Sequence, residues 1–230
     1  FFSQAMTEQQ DNNTDKHVLQ SEWTLWFEKR GQDRAVKYEP EAESNKNSDK
    51  GLSQRQWEQS LQKVGCFSTL EGFWEYYIRL KRPSQLEAFS SYHLFRCDKT
   101  PTWENYPNGG HWLVTMKKPA QADGRLDKLW EQLMFAILGE EFEHPDVVGV
   151  VVQVRSKEDV LSVWLSDKNP KFRVGEKLKT ILHLGPSTVI EYKNHASSIK
   201  DGTGTRNAMA YKISEEKKKK QPEEGKSEKA

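Results

Sequence analysis

Trp57 sits in the polar run Arg55-Gln56-Trp57-Glu58-Gln59, and Trp103 is joined to an acid in Pro101-Thr102-Trp103-Glu104-Asn105. Core packing does not call for an indole beside Glu, Asn and Gln in turn-like sequence. An aromatic face next to a carboxylate suits a flat ligand that is cationic or rich in N–H donors. Guanine is such a ligand: its edge offers N1–H and N2–H₂, and one carboxylate accepts both in bidentate geometry. Glu104 has the chemistry for that edge. A purine made cationic by N7-methylation would gain a cation–π attraction between two indoles. Stacking contributes about 1–3 kcal/mol per base, and the cation about 0.5–2 kcal/mol more. Phosphates on such a nucleoside need basic side chains, and Val154-Arg155-Ser156-Lys157 ends a strand-like run with that chemistry. Taken singly, each has a plainer account: Trp103 as a half-buried loop residue, Arg155 and Lys157 as strand-end charges.

The rest of the chain narrows the function. Net charge is +1, so no global field favours non-specific binding to a nucleic-acid duplex, and any such contact must be local. Cys66 and Cys97 are the two cysteines, with no Cys-x-x-Cys, so they are expected as free thiols rather than a disulfide or a zinc site. No run of about 18 apolar residues or signal peptide is seen. The expected setting is cytoplasmic. Gly-x-Ser-x-Gly, P-loop and His-Glu-x-x-His motifs are absent, so the chain is expected not to be an enzyme and to need no cofactor or metal. Glu140-Glu141-Phe142-Glu143 reads as a solvated helix end.

The elements that must position these residues follow from periodicity. Trp23, Leu25 and Phe27 alternate on a strand, and Trp57 to Val64 is a weaker one. Ser91 to Arg96 and His111 to Met116 are further strands, the latter entered by the turn Asn108-Gly109-Gly110. Val147 to Val154 is almost wholly β-branched, and Asp159 to Leu165 follows it across a turn at Lys157-Glu158-Asp159. Thr188 to Tyr192 is a late strand. Three helices interrupt them. One begins with a Ser68–Glu71 capping box and carries Leu70, Phe73, Trp74, Tyr77 and Leu80. The second, Asp123 to Leu138, carries Leu126, Leu129, Trp130, Leu133 and Ile137 and stops at Gly139. The third lies between Pro170 and Leu184. Composition leaves residues 1–16 and 214–230 disordered around a single domain, 17–213, with a polar insert at 31–56 expected to be mobile. The fold class is α+β: a mostly antiparallel sheet with helices on one face.

At this point the sequence resembles the eukaryotic translation initiation factor 4E family. The matching stretches are His17-Val18-Leu19, Trp23-Thr24-Leu25-Trp26-Phe27, Gly72-Phe73-Trp74, Tyr92-His93-Leu94-Phe95, Pro101-Thr102-Trp103-Glu104, Gly109-Gly110-His111-Trp112-Leu113, Leu129-Trp130, Leu138-Gly139-Glu140, Val154-Arg155, Val163-Trp164 and His195-Ala196. They run in the family's order. The resemblance implies a curved, mostly antiparallel sheet with three helices on its convex face. It implies that the concave face binds the 7-methylguanosine cap of mRNA. It assigns the base sandwich to Trp57 and Trp103, the guanine edge to Glu104 and the N7-methyl contact to Trp164. It assigns phosphate or RNA contacts to Arg155, Lys157, His111 and Lys200. It also implies a partner surface at His17, Leu19, Leu70, Trp74, Glu131 and Gly139. That surface would bind scaffold initiation factor 4G and 4E-binding repressors through a Tyr-x-x-x-x-Leu-hydrophobic helix. The resemblance implies no membrane partner, and a monomer is the default.

This sequence departs from the family pattern in places. His111 replaces an Arg, which weakens one phosphate contact and makes it pH-dependent. Asp159 falls close to a usual Lys and subtracts positive charge from the phosphate exit. Glu131 replaces an apolar residue of the partner surface, and Val18 replaces a Pro. Glu131 keeps a second reading open: a cap-binding member with weak scaffold affinity that represses translation. A cap or nucleotide hydrolase is the third, and it lacks a metal-binding set of acids.

Overall fold

The computed structural model describes residues 16–29, 60–97, 99–118, 123–185 and 187–211. Trp57, the whole polar insert 31–56 and both termini therefore lie outside the described residues. The strands are β1 (Val18–Lys29), β2 (Leu61–Thr69), β3 (Ser90–Arg96), β4 (Gly110–Lys117), β5 (Val147–Val154), β6 (Glu158–Leu165), β7 (Ile190–Asn194) and β8 (Met209–Tyr211). The helices are α1 (Leu70–Tyr77), α2 (Arg125–Leu138), α3 (Lys171–Ile181) and α4 (His195–Asp201). The strands form one curved, open sheet in the order β2-β1-β3-β5-β6-β4-β7-β8. Every pairing is antiparallel.

Strand alternation divides the molecule into two apolar layers. Trp23 and Leu25 of β1, Val150, Val152 and Val154 of β5, and Leu161, Val163 and Leu165 of β6 point to the helix-covered face. They meet Leu126, Leu129, Trp130, Leu133 and Ile137 of α2 there. Phe95, Val148, Val151 and Trp164 point the other way and form a second cluster with Tyr106, against which Trp103 packs. This two-sided burial explains why Val147–Val154 is an unbroken apolar run rather than an alternating one. It also gives the open face an aromatic floor.

Most expected elements are present, but β2 runs Leu61–Thr69 rather than Trp57 to Val64, β8 was not expected, and three further details differ. First, the cap of α1 is Thr69, whose hydroxyl accepts from Gly72 N–H at 3.1 Å, while Ser68 is still within β2. Glu71 turns instead to His17, accepting from its backbone N–H at 3.0 Å and meeting its ring Nδ1 at 2.7 Å. Second, four helices are present among the described residues rather than three. The added α4 has only seven residues, and its buried His195 faces the second cluster rather than the main core. Third, Cys66 and Cys97 are joined as a disulfide, not free. β2 and β3 both pair with β1, and the small side chain of Thr24 lets the two sulfurs approach over that strand.

Glu140 is not a solvated helix end either. Arg96 grips its carboxylate with two N–H groups, at 2.9 and 2.6 Å, while the same guanidinium lies over the Trp23 ring.

Candidate functional site

Trp103 and Glu104 occupy a 3₁₀ turn, Trp103–Asn105, between β3 and β4. The turn is pinned from inside: Asn105 donates to the Thr100 carbonyl at 2.9 Å and to its hydroxyl at 2.7 Å. The Tyr106 N–H closes back on the Trp103 carbonyl at 3.0 Å. One side of the Trp103 indole rests on the second cluster, and the neighbouring Glu104 is exposed to solvent. Glycines make the next turn possible. A Cβ on Gly109 would collide with the Leu165 backbone, and one on Gly110 would collide with the Tyr192 ring. The tight strand entry after Asn108 follows.

Trp164 lies on the same open face, 7% exposed. Its ring meets Phe95 edge-on at 5.3 Å, His111 at 5.3 Å and nearly parallel, and His195 at 4.5 Å. Trp103 and Trp164 thus belong to one aromatic group. The place of Trp57 relative to them lies outside the described residues.

His111 is not where a phosphate contact was expected. It is only 2% exposed, and its ring stacks on both Trp164 and His195, which also touch each other. Its Nε2 lies 2.7 Å from the Gly204 carbonyl, so that nitrogen carries the proton, and its Nδ1 has no partner. Burial drives its pKa down to about 4, helped by the neighbouring charges of Lys193 and Arg155. The ring is therefore neutral at pH 7 and offers no charge to a phosphate. His195 behaves alike: its Nδ1 donates to the Tyr106 carbonyl at 2.8 Å, and burial brings its pKa down to about 3.

These two rings predict acid lability. The unfolded chain takes up protons below about pH 6.5 while the folded chain does not. Their contribution is complete above pH 6.5 and is lost as pH falls toward the folded values. At pH 5 the loss is about 2 kcal/mol per ring, from a linkage of about 1.4 kcal/mol per pH unit. Thermal melts at pH 7 and pH 5 should show a clear drop in midpoint, and His111→Gln should roughly halve it, leaving the share of His195. A midpoint that does not move would refute the buried neutral pair.

Arg155 ends β5, half-buried. Its guanidinium donates to Gln153 at 2.7 Å and to the Thr205 hydroxyl at 3.3 Å, with Glu158 3.5 Å away. Lys157 and Lys200 are exposed. Asp159 does not face the phosphate exit: it is fully buried, accepts from the Arg155 N–H at 3.3 Å and lies 3.5 Å from Lys118. It caps the β5–β6 turn, and burial raises its pKa.

The helix-covered side carries a separate surface. The His17 carbonyl accepts from Leu70 N–H at 2.8 Å, joining the start of β1 to the start of α1. Trp74 is 38% exposed and meets Phe135 of α2 at 5.9 Å between centroids. Tyr77 donates its hydroxyl to Glu131 at 3.0 Å, which with burial raises the phenol to about 12. Gly139 closes α2 by donating to the Phe135 carbonyl at 2.9 Å. His17, Leu70, Trp74, Glu131 and Gly139 are thus brought together by direct contacts, while half-buried Leu19 packs against the core beneath. Phe135 on α2 and Ile78 just beyond α1, both exposed apolar side chains, escaped the sequence reading. Phe135 had a signal: it stands one helical turn from both Glu131 and Gly139.

Among the described residues one group of three candidate metal ligands lies within 4.8 Å: Glu22, Cys66 and Cys97. Its two sulfurs are bonded to each other.

A family model described as Eukaryotic initiation factor 4E matches residues 18–210. Eukaryotic translation initiation factor 4E of Xenopus laevis is 34% identical over 200 residues, 84% of this chain and 84% of that protein. Among solved structures, C. elegans eIF4E-3 in complex with the 4E-binding protein Mextli is similar with a TM-score of 0.67 and 31% identity, over 81% of this chain and 97% of that one. Ascaris suum eIF4E-3 in complex with an m7G cap is similar with a TM-score of 0.64 and 32% identity, over 84% of this chain and 94% of that one.

Proposed function

The chain belongs to the eukaryotic initiation factor 4E family, and from that premise we propose that it is a cytoplasmic translation initiation factor that binds the 7-methylguanosine cap of mRNA. The observation that carries this reading is the Trp103–Glu104 turn. It sets a carboxylate in solvent beside an indole whose other side is braced by the aromatic floor. Trp103 and Trp57 stack on the base, Glu104 accepts from its N1–H and N2–H₂, and Trp164 lies toward the N7-methyl group. Arg155, with Lys157 and Lys200 nearer solvent, serves the phosphates and the following nucleotide. No bond is made or broken in this role; selectivity comes from the positive charge that methylation places on the base. Cytoplasmic reductants reach the half-buried Cys66–Cys97 bond, so the dithiol is the form expected there.

The opposite surface, around Trp74 and Phe135, receives a helix from scaffold initiation factor 4G or from a 4E-binding repressor. An exposed Trp and Phe on adjacent helices suit the apolar face of such a helix. Glu131 favours a second reading, a member with weak scaffold affinity that represses translation. Its carboxylate, tied to Tyr77, puts a polar group in the middle of that surface.

Tryptophan fluorescence quenching with 7-methyl-GTP and GTP in parallel tests the cap reading. The methylated nucleotide is expected to bind more tightly by roughly tenfold or more, from a cation–π gain of about 0.5–2 kcal/mol at each of two indoles, less the cost of desolvating the charged base. Equal affinities would remove the basis for base recognition by charge.

A further inference from the structure

The charge absent at His111 is present one strand away. β4 and β7 are neighbours, and His111 lies directly opposite Lys193. Side chains of directly paired residues share a face, so Lys193 projects to the open face beside His111. It is only 2% exposed, a rare state for an ammonium unless it is paired.

Its partners all come from one short segment. The Lys193 Nζ lies 2.9 and 2.8 Å from the two Asp201 carboxylate oxygens, 2.9 Å from the Thr203 hydroxyl and 2.5 Å from the Arg206 carbonyl. Several oxygens around one ammonium, two of them anionic, reproduce what a phosphate group offers. Asp201 is itself about a quarter exposed, so the counter-ion stands at the solvent side of the pair.

The same segment touches the rest of the site. The Gly204 carbonyl accepts from His111, and the Thr205 hydroxyl accepts from Arg155. The Gly204 backbone also borders Trp103: a Cβ there would stand 3.6 Å from the indole Cζ2. Residues 201–206 therefore lie over the indole, the imidazole and both cations at once. A cavity of about 390 Å³ adjoins this segment, lined in part by Thr205, Arg206, Glu158 and Glu191. Its two carboxylates repel a phosphate chain and leave the Lys193 side as the favourable path.

We propose that Lys193 is a phosphate-binding residue of this site, and that Asp201 with its loop is an internal occupant that the cap triphosphate displaces. This rests on the cap-binding reading for the identity of the base, but not for the phosphate chemistry. Lys193 exchanges one carboxylate for a more highly charged phosphate, and the loop opens as it does so. Triphosphate binding and loop movement are then one event.

Calorimetric titrations test this with three ligands: 7-methylguanosine, 7-methyl-GTP and inorganic triphosphate. Lys193→Met should cut the gain of 7-methyl-GTP over the nucleoside by tenfold or more, and should weaken inorganic triphosphate similarly. Lys193→Arg should restore most of both. Asp201→Asn, which keeps the loop's shape and removes its charge, should raise triphosphate affinity several-fold. A Lys193→Met protein that loses nucleoside and triphosphate binding in equal proportion would show that the lysine only holds the fold. Unaltered or weaker triphosphate binding by Asp201→Asn would also overturn the proposal. Failure of the wild-type protein to bind 7-methylguanosine would count against the base reading alone, because inorganic triphosphate reads Lys193 without a base.

Discussion

Trp103→Ala is expected to lower the affinity for 7-methyl-GTP by roughly 10- to 5,000-fold. The stack contributes about 1–3 kcal/mol and the cation–π attraction about 0.5–2 kcal/mol more. Both are lost together, because the same ring supplies them. Glu104→Ala should cost about 1–3 kcal/mol or somewhat more, since two buried guanine donors are left without an acceptor. Glu104→Gln should be little better: its amide NH₂ faces a donor where an oxygen is needed. Glu104 is exposed and makes no packing contribution that its loss would disturb, so its thermal midpoint should stay near wild type. Trp103 also rests on the second cluster, and Trp103→Phe controls for that packing by keeping an aromatic with a smaller face. Calorimetry is the measurement of choice, because removing an indole removes part of the fluorescence. Affinities within threefold of wild type for both alanine variants would end the assignment of this turn to the base.

Trp74→Ala is the second large effect, and it falls on the other face. Apolar anchors of this kind cost about 2–4 kcal/mol on truncation, or roughly 30- to 1,000-fold in affinity. A synthetic peptide with a Tyr-x-x-x-x-Leu-hydrophobic motif should lose that much, while 7-methyl-GTP binding stays within twofold. Independence is expected because the sheet and its two apolar layers separate Trp74 from Trp103. Glu131→Leu should act in the opposite direction. It removes the acceptor from Tyr77 and fills the middle of the surface with apolar atoms, so peptide affinity should rise several-fold. A peptide that binds both variants as it binds wild type would place the partner elsewhere, and the repressor reading would lose its motive.

How much of this was legible depended on how local the signal was. β5 and the apolar stripe of α2 were readable from a few consecutive turns or alternations, and their bounds came out close. The cap of α1 slipped by one residue, because Ser68 and Thr69 are both competent and only the end of β2 decides between them. α4 escaped because seven residues carry too little periodicity to distinguish a helix from a loop. The turn bearing Trp103 and Glu104 was readable, since both residues are adjacent in sequence. The burial of His111 was not: it depends on Trp164 and His195, which arrive from distant strands and helices. Lys193 was invisible for the same reason, because nothing local says that it stands opposite His111. The disulfide needed the register of three strands at once.

The sheet is open, and its outermost strands differ from the six they enclose. β8 is only three residues long, and β2 meets β1 with two breaks in register. The first is too short, and the nine-residue second too irregular, to offer a flat row of unpaired amides on which a second molecule could template a new strand. The fold can thus leave a broad recognition face uncovered while keeping both of its edges poor templates for edge-to-edge pairing.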